Sequence, residues 1–353
     1  MAEVENCDVL SDSSSQASDQ EKALALGAQT EFEKSNYAAS IEQLSKLETS
    51  RPQDPKVMHN KAIVNCYKTG LTNIFQLRKS LTNIAKQLQC SLENPKTLVD
   101  VDQCYVFYNE AITLYYLRQY AKSLEILIKI FSLVEQLDES LARQVCFLLA
   151  EVYLRLKFPN KTLLIVHFME TTLLSHGAKL KSTLPLERER ERERDCDKEK
   201  EDLKNAFSEE SLIPPAIRVR LQRLKIRANV ALLQTEEAES ELKVLTDINS
   251  KNAGTVCLIS RVEYLKGNYT ASLKNLKFSS DEDSFKKKGE SNEVMHNNNM
   301  GCAYHALEKY HLACLYFQKA LAKTSELLAE FPRPSSGTTA SHIPYVITCY
   351  STY

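Results

Sequence analysis

Cys302-x-x-His305 followed by His311-x-x-Cys314 sets four soft and borderline ligands at a spacing that tetrahedral zinc sites use. The surrounding residues argue against a site. Cys302 and His305 fall on one predicted helix, and His311 and Cys314 open the next. The four side chains would have to reach around a packed helix crossing to meet at one point. Small core cysteines and exposed histidines are the expectation, and no metal is assigned. The remaining histidines, His59, His167, His176, His296 and His342, each lack a recognisable partner motif. No nucleophile, base and orienting group come together. Neither Gly-x-Gly-x-x-Gly nor Gly-Lys-Ser/Thr occurs, so no phosphate loop can be assembled. The sequence thus argues for no enzyme and no cofactor.

The elements that hold those residues follow a repeat. Counted from Gly301, Tyr304, Tyr310, Ala313, Phe317 and Ala320 stand where a helix–turn–helix pair needs small residues at the crossing and aromatic residues to fill it. The second half of the pattern recurs as Asn36-Tyr37 with Ser40 and Leu44, as Gln119-Tyr120 with Ser123 and Leu127, and as Asn268-Tyr269 with Ser272 and Leu276. Each copy has an aromatic residue, a small one three on and a large apolar one four beyond. This is the tetratricopeptide-repeat (TPR) arrangement. The expected fold is all-α, a TPR solenoid of stacked antiparallel helix pairs interrupted by a charged insertion.

The chain has 353 residues, a formal charge of −1 and 43% hydrophobic residues. That is enough apolar material for a long core, with no global field to attract nucleic acid or anionic lipid. The ten cysteines are spread along the whole length and sit mostly among helical apolar residues. With no secretory leader and no apolar run of transmembrane length, they read as reduced thiols of a cytoplasmic or nuclear protein.

Residues 1–19, serine-rich and acidic, predict a disordered tail, with Asp19 as N-cap of the first helix. Residues 20–176 predict a first half of TPR-like repeats, bounded internally by Arg51-Pro52 and Asn94-Pro95. At 177–210 the run Glu187–Arg194 and the mixed charges after it offer no apolar face to dock, which predicts a mobile linker. Pro214-Pro215 restarts the array, whose second half covers 211–330. Residues 331–353 predict an irregular tail. No capping helix is visible there, as in a truncated or alternative product.

In such an array the first helix of each pair lines the inner face. The register from Tyr120 places Tyr105, Tyr108, Ile112 and Tyr115 there in the third pair, and Gln144, Phe147, Glu151 and Leu154 in the fourth. A row of tyrosines and aliphatics suits a docked helix or extended segment of another protein, with Tyr105, Tyr108, Ile112, Tyr115, Phe147 and Leu154 as the partner-binding candidates. Burial against neighbouring repeats is the competing expectation for any one of them. The helix Ala216–Leu233 carries Arg218, Arg220, Arg223, Lys225 and Arg227, which could grip RNA phosphates. The charges read as wrapping around the helix, with no interleaved aromatic residues, so a solvated face is expected and no direct nucleic-acid contact. A generic TPR adaptor or co-chaperone would need a Lys, Arg and Asn clamp for an acidic peptide end, and the apolar inner face disfavours it.

Tyr108-Asn-Glu-Ala-Ile-Thr-Leu-Tyr-Tyr-Leu-Arg-Gln-Tyr120, Gln144-Val-Cys-Phe-Leu-Leu149, Glu263-Tyr-Leu-Lys-Gly-Asn-Tyr269, Asn299-Met-Gly-Cys302 and Tyr316-Phe-Gln-Lys-Ala-Leu321 are more specific than a generic repeat. Across roughly residues 20–330 they resemble the TPR subunit-ten family of the CCR–NOT mRNA deadenylase complex. The resemblance implies a non-catalytic scaffold in mRNA decay, deadenylation, translational repression, RNA-mediated gene silencing and transcription regulation, in cytoplasm and nucleus. It implies protein partners, subunit eleven and the N-terminal region of the large NOT scaffold, and no membrane. The family continues with further repeats where this sequence ends, which puts any contact made by those repeats in doubt.

Overall fold

The computed structural model describes residues 18–70, 73–174, 213–249, 253–280 and 290–330. Residues 1–17 of the expected tail, the expected linker 177–210 and the expected C-terminal tail 331–353 lie outside the described residues. Helices account for the regular structure, and no strand occurs among the described residues. The helices fall into two units, one ending at Ser91 and the other starting at Leu92.

The first unit holds α1 (Asp19–Glu33), α2 (Tyr37–Ser50), α3 (Pro55–Lys68) and α4 (Ile74–Gln87). Ser18, not Asp19, caps α1. Its hydroxyl accepts from the Glu21 amide at 3.3 Å, and the Glu21 carboxylate accepts from the Ser18 amide at 2.8 Å. The reciprocal pair satisfies two amides that no helical carbonyl can reach, and Asp19 is left in the first turn, where the helix dipole favours its charge. Ala28, Leu44 and Val64 form the core between α1, α2 and α3, with Phe32, Tyr37 and Ile41 packed on it. Phe32 meets Tyr67 edge-on at 5.0 Å. α4 buries Leu77, Leu81 and Ile84, a stripe at steps of four and three.

The second unit holds α5 (Val101–Tyr116), α6 (Tyr120–Phe131), α7 (Glu139–Arg155), α8 (Pro159–Phe168), α9 (Pro215–Ala231), α10 (Thr235–Asn249), α11 (Ala253–Leu265), α12 (Tyr269–Ser280), α13 (Glu290–Ala306) and α14 (Tyr310–Glu330). Each odd-numbered helix packs on the even-numbered one after it, and α8 packs on α9 across the charged stretch. The repeats on either side of that stretch therefore belong to one unit. Lys225 of α9 adds an ion pair to Glu170, just beyond α8, at 2.8 Å.

The small residues read from the sequence have a further job. Ser40 donates its hydroxyl to the Ala28 carbonyl at 2.8 Å, Ser123 to Ala111 at 2.8 Å and Thr162 to Ala150 at 3.1 Å. In α11/α12 the donor changes sides, and Ser260 donates to the Ser272 carbonyl at 3.1 Å. Each bond joins residues twelve apart, the offset between Gly301 and Ala313 in the last pair. There the close approach is made by absence. A Cβ on Gly301 would stand 2.6 Å from two ring carbons of Phe317, so only glycine lets that ring cross α13. Around these crossings Leu127 and Ile130 of α6 are wholly buried, each contributing about 1.5–3 kcal/mol of transfer free energy.

Most described cysteines belong to this core. Cys66, Cys104 and Cys146 are buried, and burial pushes their thiols up to about 11, 12 and 12, while Cys314 is exposed. The thiolate is the reactive form. Brief alkylation of the native protein, mapped by peptide mass, should label Cys314 and leave Cys66, Cys104 and Cys146 unmodified until denaturant is added. Labelling of all four at similar rates would show these packed faces to be open.

Candidate protein-binding face

The inner face of the second unit is built from α5, α7, α9 and α11, which stack in that order. Asp100 starts α5 with a capping box to Gln103, and Asp138 starts α7 by accepting from the Leu141 amide at 3.0 Å. These caps fix where each helix begins, and so which side chains come level across the step.

The expected row is brought together, but largely inside the protein. Tyr108, Ile112, Tyr115 and Phe147 are buried, at 1, 0, 3 and 3% exposure, and only Tyr105 and Leu154 are half-buried. An open face unused by intramolecular packing is therefore not what the first four residues form. The reason is length: a tyrosine on one first helix spans the gap to the next. The Tyr105 hydroxyl donates to the Asp138 carboxylate at 2.6 Å, Tyr108 to the Gln144 carbonyl at 3.4 Å and Tyr115 to the Glu151 carboxylate at 3.2 Å. Phenols that could have met a partner instead tie α5 to α7.

Glu151 is the centre of a network that the sequence did not reveal. Arg227 grips it with both terminal guanidinium nitrogens, at 2.6 and 2.9 Å, and Arg155 stands 3.3 Å away. Arg155 also donates to the Tyr115 hydroxyl at 3.3 Å. Burial alone would raise the Glu151 pKa. The Arg227 hydrogen bonds and charge, with Arg155 and Tyr115, outweigh it and hold the carboxyl below its ordinary value. Burial and the neighbouring Glu151 charge push the Tyr115 phenol well above its usual range. The carboxylate stays charged and fully engaged.

The arginines of α9 also differ from expectation. Arg220, Arg223 and Arg227 follow an i, i+3, i+7 spacing and share one side of α9, while Lys225 turns away to Glu170 and Glu241. Arg220 lies over the Phe147 ring, 4.0 Å from its centre. The basic residues thus do not simply wrap around the helix. The i, i+3, i+7 spacing was the available signal. What hid it was the presence of Arg218 and Lys225 on the remaining sides.

The Cys302 and His305 pair sits on α13, and His311 and Cys314 on α14. His305 meets Tyr310 edge-on at 5.4 Å, and His305, His311 and Cys314 are exposed. No group of three or more His, Cys, Asp or Glu side chains that could hold a metal ion occurs among the described residues. No helix among them is long and apolar enough to cross a membrane.

Stacked antiparallel pairs with recurring small residues at their crossings are the fold of a TPR protein, and solved structures agree. A tetratricopeptide repeat protein from Parabacteroides merdae matches with a TM-score of 0.51 at 12% identity, over 89% of this chain and 97% of that one. A Rap protein solved with competence and sporulation factor matches with a TM-score of 0.57 at 11% identity, over 87% and 77%. In sequence, the chain is similar to CCR4-NOT transcription complex subunit 10-B of Xenopus laevis, 29% identical over 321 residues, which cover 90% of this chain and 42% of that protein. Subunit 10-A of the same organism is 28% identical over 325 residues, 89% and 42% of the two chains. Subunit 10 of Danio rerio is 30% identical over 117 residues, 33% and 19% of the two. The chain spans 42% of the length of the Xenopus relatives. No protein-family model matches it.

Proposed function

We propose that this chain is a subunit of a CCR4-NOT-type deadenylase complex and serves it as a non-catalytic scaffold. The observation that carries the reading is the similarity to subunit 10 relatives along 90% of the chain. The fold supports it, because a stack of helix pairs offers extended surface rather than a reaction chamber. The inner face supports it too. Its most engaged carboxylate, Glu151, is held ionised by arginines and a phenol, which leaves it neither a free base nor an acid near neutral pH.

On this reading the chain acts in mRNA decay, translational repression, RNA-mediated silencing and transcription regulation by holding other subunits. The partners are subunit eleven and the N-terminal region of the large NOT scaffold. The setting is cytoplasm and nucleus, and no cofactor is used. On this reading the repeats of 20–176 and 211–330 form the scaffold. Of the row first read as partner-binding, Tyr105 and Leu154 remain reachable by a partner, while Tyr108, Ile112, Tyr115 and Phe147 shape the face from beneath.

Affinity purification of the tagged chain with mass spectrometry tests the reading. Subunit eleven and the large NOT scaffold should be the enriched proteins, and the purified chain alone should leave a polyadenylate substrate intact. Enrichment of an unrelated complex without those subunits would overturn it.

A further inference from the structure

Two exposed apolar side chains stand at adjacent turns, each where local folding favours another residue. Phe158 immediately precedes α8, at its N-cap, and is 47% exposed. A cap side chain stabilises a helix by accepting from its first amides, which a phenyl ring cannot do. The same place before the other second helices holds Asn36, Asn73, Gln119, Gln234, Asn268 and Lys309, all polar. Leu233 lies in the turn from α9 to α10 with φ 61° and is 71% exposed. Left-handed backbone suits glycine and strains a leucine. Among the described non-glycine residues with positive φ, Leu233 alone is apolar.

The two turns share one edge of the stack. Arg220 of α9 reaches Phe147 of α7, and Arg227, further along α9, reaches Glu151, further along α7. The helices therefore run side by side in the same direction. Phe158 follows Glu151 by seven residues and Leu233 follows Arg227 by six, so both turns come level. Neighbouring packed helices stand about 8–10 Å apart, which sets the separation of the two side chains. Their surroundings differ in charge. Lys157 is exposed beside Phe158, and the Lys161 ammonium stands 5.3 Å from the centre of its ring. Beyond Leu233, Glu236 and Glu237 are exposed in the first turn of α10.

We propose that Phe158 and Leu233 form a two-point dock for an amphipathic helix of a partner protein. That helix carries two apolar side chains seven residues apart, with acidic residues beside the one on Phe158 and basic residues beside the one on Leu233. The inference rests on the reading of the chain as a protein-holding subunit, but not on which complex it serves. Seven residues of helix advance about 10 Å and nearly complete two turns, so both side chains stay on one face at the spacing of the dock. Same-side residues of an extended segment recur about every 7 Å, and the separation falls between one such step and two. The surrounding charges set the direction. Lys157 and Lys161 attract the acidic end and Glu236 and Glu237 the basic end, while the reversed helix would bring like charges together. Single exposed hydrophobic residues are ordinary on a protein surface. Two on neighbouring turns, each at a local cost to the fold, are what a shared ligand explains.

The test places the photocrosslinker p-benzoylphenylalanine at position 158 or at position 233 of the tagged full chain. Complexes purified from cells are irradiated and the crosslinks mapped by peptide mass. Both positions should mark one segment of one other protein, about seven residues apart, with acidic residues around the mark from 158 and basic residues around the mark from 233. Leu233→Gly should relieve the turn and raise the melting temperature of the chain alone by about 2–4 °C. In the chain with the crosslinker at 158, the same change should cut the crosslink yield at least about tenfold. Phe158→Asn should keep the parent circular dichroism and cut the yield at 233 likewise. Marks on two unrelated segments, on a second copy, on residues 177–210 or 331–353 of the chain itself, or no mark would each overturn the proposal. So would an unchanged yield, or a melting temperature lowered by Leu233→Gly, which would show that the leucine serves the fold. If the deadenylase subunits are recovered and neither position marks a partner, only this inference fails. If the expected pair of marks falls on a protein of another complex, the complex assignment fails instead.

Discussion

Changing Tyr108 and Tyr115 together to alanine is expected to melt the first repeats of the larger unit, not to free a partner from an intact fold. Both rings are buried, at 1 and 3% exposure. Truncating a buried aromatic side chain costs about 3–5 kcal/mol through lost transfer energy and the cavity left behind. The two residues stand a heptad apart, about 10 Å along α5, so their costs should nearly add. The sum rivals the about 5–15 kcal/mol that holds a whole domain together. Thermal melting followed by far-ultraviolet circular dichroism should therefore show a lost or strongly lowered transition. Tyr115→Phe keeps the ring and gives up only the links to Glu151 and Arg155, which should cost about 1–2 kcal/mol. A double variant that melts like its parent would return the tyrosines to the surface as partner contacts.

Glu151→Gln should give the second large effect. The carboxylate is 6% exposed and answers Arg227 and Arg155, so the neutral side chain leaves two guanidiniums facing each other without a counter-charge. Breaking a fully buried pair costs about 3–5 kcal/mol. The arginines here are 31 and 40% exposed and can regain water, which lowers the expectation to about 2–3 kcal/mol. The sign with pH follows from the depressed carboxyl. A group whose folded pKa lies below its unfolded value stabilises fully above the unfolded value, about 4.5 here, and stops doing so as pH falls through the folded one. Urea denaturation should thus separate parent and variant at pH 7 and bring them together as the solution is acidified below that range. A constant gap down to strong acid would mean that the ion pair is not its source.

What could be read in advance, and what could not, divides along the distance between partners in the sequence. Gly301 with Phe317, or Ala111 with Ser123, is a short-range relation, and its regular recurrence announced the helix pairs and their turns. The register also placed Tyr108, Tyr115, Phe147 and Glu151 correctly on the first helices. It could not say how near α5, α7 and α9 approach one another, and that distance decides whether a tyrosine is a surface ring or a strut. Arg227 finds Glu151 from 76 positions away, beyond any local periodicity. The same holds for Arg220 over Phe147. The helical spacing of the arginines was visible, but only the fold shows which side of α9 faces α7. Ser18 displaced Asp19 as cap because either residue fits the role, and only the Glu21 partnership separates them.

The hydroxyl links at four of the helix crossings bear on the order in which the protein folds. Ser123 and Ala111 are separated by 12 residues, a closure that a nascent chain can make soon after both have emerged. Low contact order of this kind favours rapid formation of each hairpin on its own. The Arg227 clamp on Glu151 cannot form until α9 has been synthesised and docked, since its ends lie 76 residues apart. During vectorial synthesis α5 to α8 must therefore wait with Glu151 answered by Arg155 and Tyr115 alone, and the arrival of α9 turns a set of separately closed hairpins into one cooperative body.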